Sequence, residues 1–111
     1  MRAQRPLPHS AGRKERTLKD LQVLAGVGPS IAHDLYELGY RSVADLSNED
    51  PERMYAKHTE QKGTYVDRCV LYVFRCAVYA SRTRKPDPQL LLWWKWKDRP
   101  LSPLRKRKIR R

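Results

Sequence analysis

The chain has 111 residues, a formal net charge of +12 and two cysteines. That length has room for one domain, whose core is too small to house a large substrate cavity. No apolar run approaches the ~20 residues of a membrane span, and the N-terminal segment lacks the apolar stretch of a secretory signal.

The charge is unevenly spread. Residues 1–19 carry six basic residues against one acid and residues 95–111 nine against one, whereas 20–94 carry nine against ten. The middle is near neutral, and the positive charge sits in two tails, where it attracts polyanions through a long-range, salt-sensitive field. Residues 1–16, with Pro6, Pro8, Ser10 and Gly12 among five Lys or Arg, read as a disordered basic tail. Residues 97–111 repeat the pattern with Pro100, Pro103 and the run Arg105, Lys106, Arg107, Lys108, Ile109, Arg110, Arg111. The folded domain is expected over 17–96.

Helix starts and stops can be followed along the chain. Thr17-x-x-Asp20 reads as a capping box, with Asp for the usual Glu, and opens a helix over 18–25 that stops at Gly26. Pro29 opens a second over 29–38, stopped by Gly39. Ser42-x-x-Asp45 is another capping box, for a short helix at 43–47. Asp50-Pro51 pairs an N-cap with a proline at the first helical position, for 51–62, and Gly63 stops it. Thr64-x-x-Asp67 opens 65–83, and Asp87-Pro88 opens 88–94. No stretch shows the period of a strand. The fold class is therefore all-α, a compact domain of five to six short helices with flexible basic tails.

This scheme absorbs most of the acids. Asp20, Asp45, Asp50, Asp67 and Asp87 cap helices, Glu49 and Glu52 suit a helix start, and Asp34 and Glu37 fall on a wet face. No carboxylate pair is left that asks for a catalytic role, so an enzyme is not expected. His9, His33 and His58 are scattered and there is no Cys-x-x-Cys, so neither metal nor cofactor is expected. Cys69 and Cys76 lie seven apart. On a helix their Cα atoms are about 10 Å apart, too far for a disulfide. They read as buried, reduced thiols of a cytoplasmic protein.

The segment Leu21–Leu35 carries the strongest functional signal. A short apolar helix runs into Gly26-Val27-Gly28, and Pro29 launches the next, with the full spacing hxxhxGhGxxxAxxh, where h is apolar. Glycines allow a tight reversal, and without side chains the backbone N–H groups stay open to an anion at a helix N-terminus, where unpaired donors and the dipole favour phosphate. The expected backbone donors are Gly26, Val27, Gly28, Ser30 and Ile31. Ala32 permits close helix approach.

On the 65–83 helix, Val66, Cys69, Val70, Val73, Phe74, Cys76, Ala77 and Ala80 form a broad apolar face. The other strip is Arg68, Tyr72, Arg75, Tyr79 and Arg82, within about 80° of arc. Arg and Tyr suit phosphates and stacking on bases; equally, the rings can cover core edges while Arg snorkels. Trp93, Trp94 and Trp96 can stack on bases or clip the domain shut.

The segment Leu21–Leu35 resembles the helix-hairpin-helix motif of DNA repair and recombination proteins, in a SAM-like domain. More narrowly, Cys69-Val70-Leu71-Tyr72-Val73-Phe74-Arg75-Cys76 and the stretch from Pro86-Asp87-Pro88 to Trp93-Trp94-Lys95-Trp96 resemble the bacterial pathogenicity locus family, whose small members are sometimes labelled mitomycin-resistance proteins. The resemblance covers about 18–98 and implies a fold and DNA contact rather than an activity. Two features depart from the strongest DNA-binding hairpins. Ser30 stands where Lys is frequent, and Asp34 would repel a phosphate if it faced one.

The expected function is non-sequence-specific binding of nucleic acid, DNA before RNA, by the hairpin, by Arg68, Arg75 and Arg82, and by the Arg105–Arg111 run. The nucleoid would then be its place. The rival is a protein-interaction adaptor without catalysis. Neither a membrane nor a small-molecule substrate is expected as a partner.

Overall fold

The computed structural model describes residues 6–101, with side chains from residue 12 onward. It contains four α-helices, α1 (Pro6–Leu21), α2 (Pro29–Glu37), α3 (Pro51–Lys62) and α4 (Cys69–Arg82), and three 3-10 segments, Val43–Leu46, Pro88–Leu91 and Trp93–Trp96. No strand occurs among the described residues. No helix among them is long and apolar enough to cross a membrane.

Several helix starts follow the expected chemistry. Ser42 Oγ accepts from the Asp45 N–H at 3.3 Å while the Asp45 carboxylate accepts from the Ser42 N–H at 3.2 Å, a reciprocal capping box. Asp50 Oδ1 accepts from the Glu52 N–H, and Asp87 Oδ1 from the Gln89 N–H. Gly63 ends α3 at φ +70°, the left-handed geometry that favours glycine.

Other starts differ from expectation. Thr17 lies inside α1, which reaches back to Pro6, so residues 6–16 are helical rather than part of a disordered tail. Pro6 and Pro8 fall in its first turn, where a missing N–H costs nothing. At the other end α1 stops at Leu21, and 22–26 form turns instead of helix. Thr64 caps nothing. The Tyr55 hydroxyl donates to the Val66 carbonyl, which pins the connection, and Asp67 Oδ1 accepts from the Cys69 N–H, so α4 begins at Cys69.

The core gathers Leu21, Leu24, Val27, Ala32, Leu35, Leu38, Leu46, Met54, Val73 and Phe74. α4 runs through it, buried over Leu71 and from Val73 to Val78. Its second face is covered by the Trp93–Trp96 segment. Trp96 is buried, donates its Nε1–H to the Leu90 carbonyl at 2.9 Å and packs on Tyr79, with ring centroids 5.3 Å apart. Leu101 also packs on the core, so the fold extends past residue 96. Cys76 is buried, which pushes its thiol up to about 11. Cys69, expected inside, is exposed because it opens α4; its hydrogen bond with Asp67 raises its thiol pKa.

Arg75 joins these parts. It is 6% exposed, and its guanidinium donates to Glu52 Oε2 through Nε at 3.1 Å and Nη2 at 2.5 Å, and to the Trp96 carbonyl through Nη1 at 2.7 Å. Arg75→Ala leaves Glu52 and the carbonyl without their donor. The expected cost is about 2 kcal/mol, or roughly 10 °C in thermal midpoint for a domain this size. Circular-dichroism melting checks this; an unchanged midpoint contradicts the role given to Arg75.

Candidate nucleic-acid interface

The turn between α1 and α2 is built from short local bonds. The Val23 N–H donates to Asp20 O, Leu24 N–H to Leu21 O and Val27 N–H to Leu24 O, at 3.1–3.2 Å. The reversal needs Gly26, whose φ is +83°. A Cβ there would also lie 3.2 Å from Trp93 Cβ, so two constraints fix glycine at 26. Val27 points inward, 6% exposed, against a floor that includes fully buried Leu21, Ala32 and Leu35. Fully buried Ala32 has the small side chain that a close approach of α1 requires.

Gly28 is a different case. Its φ of −94° is open to any residue, and a Cβ there would meet nothing within 4 Å. Neither strain nor packing inside the chain asks for glycine at 28. As N-cap of α2 it offers no side chain, and Pro29 follows at the first helical position. The first backbone donor satisfied within α2 is Ala32, whose N–H reaches Gly28 O at 2.9 Å. The N–H groups of Gly26, Gly28, Ser30 and Ile31 have no acceptor among the described residues. Four of the five expected backbone donors are thus unspent. The fifth, Val27, is not, because its N–H closes the turn onto Leu24.

The side-chain candidates divide differently. Arg75 is committed to Glu52 and Trp96 and cannot serve an outside phosphate. Arg82 is half-buried, and burial lowers its guanidinium pKa. Arg68 is exposed, 5.9 Å from the Tyr55 ring centroid. Tyr79 is turned inward, its hydroxyl accepting from the Asp87 N–H. The strip on α4 is therefore mostly an internal seam, because the Trp93–Trp96 segment packs over it. Arg105, Lys106, Arg107, Lys108, Arg110 and Arg111 lie outside the described residues.

Asp34, expected on a wet face where it would repel phosphate, is 13% exposed with Oδ2 3.7 Å from the Nε2 of buried His58. His58 also sets its ring edge-on to Phe74 at 5.9 Å. Asp34 therefore faces α3. Glu52 and Glu49 are likewise engaged, by Arg75 and by the Tyr40 hydroxyl, whose pKa is raised by burial and by Glu49.

Sequence reasoning missed Arg41. Its guanidinium lies 3.6 Å over the Tyr36 ring and donates to the Tyr36 carbonyl at 2.7 Å, with Lys14 Nζ 5.0 Å from the same ring. A cation just after the glycine that ends a helix was the available signal.

Residues 14–100 match the family described as Pathogenicity locus. The chain belongs to that family. Over 88 residues this pathogenicity locus protein is 30% identical to the mitomycin resistance protein McrB of Streptomyces lavendulae, covering 79% of this chain and 75% of the relative. No solved structure matches it.

The two glycines yield a paired prediction. Gly26→Ala forces a side chain into the left-handed region and against Trp93, and should cost at least about 1–2 kcal/mol. Gly28→Ala should cost less than about 1 kcal/mol, the difference between these residues at an N-cap. Parallel urea titrations compare them; equal losses would contradict the separate roles of the two positions.

Proposed function

We propose that this protein binds the sugar–phosphate backbone of nucleic acid, DNA before RNA, without reading sequence. The binding element is a helix-hairpin-helix formed by α1, the Gly26–Gly28 turn and α2, and the basic tails add charge. The observation that carries this reading is Gly28, a glycine that neither strain nor packing requires, beside open N–H groups at the start of a helix. A missing side chain there lets an outside group approach the backbone closely, and phosphate is the group that helix N-termini favour.

Placement of charge supports the division of work. Asp34 turns toward His58, so the acid on α2 nearest the turn is engaged internally. Ser30 is exposed and its hydroxyl can donate. The run from Arg105 to Arg111 holds six of the 24 basic residues and supplies electrostatic attraction. Phosphate contacts of this kind position a protein and carry no sequence information. The name of the Streptomyces relative adds resistance to mitomycin, and we extend the proposal to a role in DNA repair or damage resistance, at the nucleoid. An adaptor reading is favoured by one observation. Val23 is 77% exposed beside an apolar groove that Leu24, Val43, Ala80 and Leu91 help line.

Fluorescence anisotropy over a salt series separates turn from tail. Cutting after Pro103 should weaken binding to all sequences; if about four phosphate contacts go, the slope of log K against log salt falls by roughly 3–4. Gly28→Glu should weaken binding by about tenfold or more while keeping most of the slope, since it places bulk and negative charge beside the donors. Binding abolished by truncation and untouched by Gly28→Glu makes the tail the whole nucleic-acid element. No binding at ~50 mM salt, where electrostatic association is strong, favours the adaptor.

A further inference from the structure

Three tryptophans stand within four positions, and packing accounts for two. Trp96 is 2% exposed with its Nε1–H bonded to Leu90 O, and Trp93 lies under the turn against Gly26. Trp94 is 54% exposed. Its ring meets Trp93 in a T-shaped contact, with centroids 5.8 Å apart and planes at 84°. An edge-to-face contact of this kind orients a ring without covering it. The domain therefore holds one large aromatic surface in place and leaves about half of it in water, at a cost in unburied apolar area.

The position of that ring narrows what it can serve. A Cβ at Gly26 would be 3.7 Å from Trp93 Cγ, and Trp93 in turn touches Trp94, so the exposed ring is two contacts from the turn. Lys95, Lys97 and Arg99 follow, all exposed, with Asp98 the only acid among them. An apolar protein partner gains nothing from that flank, whereas a polyanion with flat apolar rings matches both the charge and the aromatic face.

We propose that Trp94 is a stacking platform for an unpaired base, so that the ligand of this protein is single-stranded nucleic acid or the single-stranded part of a larger substrate. The proposal rests on the backbone-binding reading above and deepens it. In a duplex each base face is already covered by its neighbours, so Trp94 gains contact only where a base is free. Stacking is indifferent to base identity because every base has a π-face, in keeping with a backbone contact that reads no sequence.

The test uses the full chain, a labelled single strand of mixed sequence and its blunt duplex, with anisotropy read at several salt concentrations. The unaltered chain should prefer the single strand. Trp94→Ala should weaken single-strand binding by roughly 5- to 100-fold, the range for loss of one base–aromatic stack. It should leave duplex affinity within about twofold and the salt slope unchanged, because no charge is removed. Trp94→Phe should restore much of the loss. Melting of each variant guards against a folding defect: Trp94→Ala with a lowered midpoint and equal losses for both ligands makes Trp94 structural and overturns the proposal. So does binding of both ligands by Trp94→Ala at the unaltered strength, which leaves the exposed ring to a protein partner. If the unaltered chain binds neither ligand, the backbone-binding reading falls and this proposal falls with it.

Discussion

A guanidinium inside a small domain must find acceptors, and Arg75 finds them on two separated elements. Glu52 brings α3 to α4, and the Trp96 carbonyl brings in the 3-10 segment that ends the fold. With that segment held, Tyr79 meets Trp96, Cys76 lies under Leu90 and Trp93 comes to rest beneath Gly26. The shape of the α1–α2 turn therefore depends on a side chain far from it in sequence. Replacing a buried ion pair by apolar residues of similar volume often costs little stability; here the directional bonds to a backbone carbonyl also set where the tryptophans lie.

That dependence ties the two proposed binding features together. The open N–H groups of Gly28, Ser30 and Ile31 and the exposed ring of Trp94 are on different elements, separated by most of the chain. Two successive contacts, Gly26 on Trp93 and Trp93 on Trp94, link the turn to the ring. Phosphate on the turn and a base on the ring would then be parts of one strand. In the proposed mode the six basic residues from Arg105 to Arg111 would act through their charge, which raises affinity and association rate and is screened by salt.

Local chemistry made much of the fold legible. Ser42 with Asp45, Asp50 with Pro51, and Asp87 with Pro88 mark element starts because a side-chain oxygen replaces a missing backbone acceptor, and that exchange is written within four residues. The start of α2 at Pro29 was equally plain. What failed was tertiary. The strip Arg68, Tyr72, Arg75, Tyr79, Arg82 has a polar pattern, yet its middle is covered by a segment some twenty residues on, which periodicity cannot see. Thr17 and Thr64 carry the same capping signature as Ser42, but α1 runs back to Pro6 and Tyr55 pins the chain at Val66. In the turn, the spacing suggested positive φ at both glycines, but only Gly26 has it: Gly26 answers to φ and Trp93, and Gly28 to neither. Val27 was legible as a buried side chain and not as a spent donor, because its bond to Leu24 depends on the turn's geometry.

The central claim is that backbone N–H groups at the start of α2 hold a nucleic-acid phosphate. Backbone amide chemical shifts of the labelled full chain, followed while a short single strand is added, test it most directly. The account predicts that the amides of Gly28, Ser30 and Ile31 move together and saturate with the anisotropy curve, while Val27, bonded to Leu24, moves less. Shifts confined to the residues after Pro103, with the α2 amides unmoved at saturation, would contradict it.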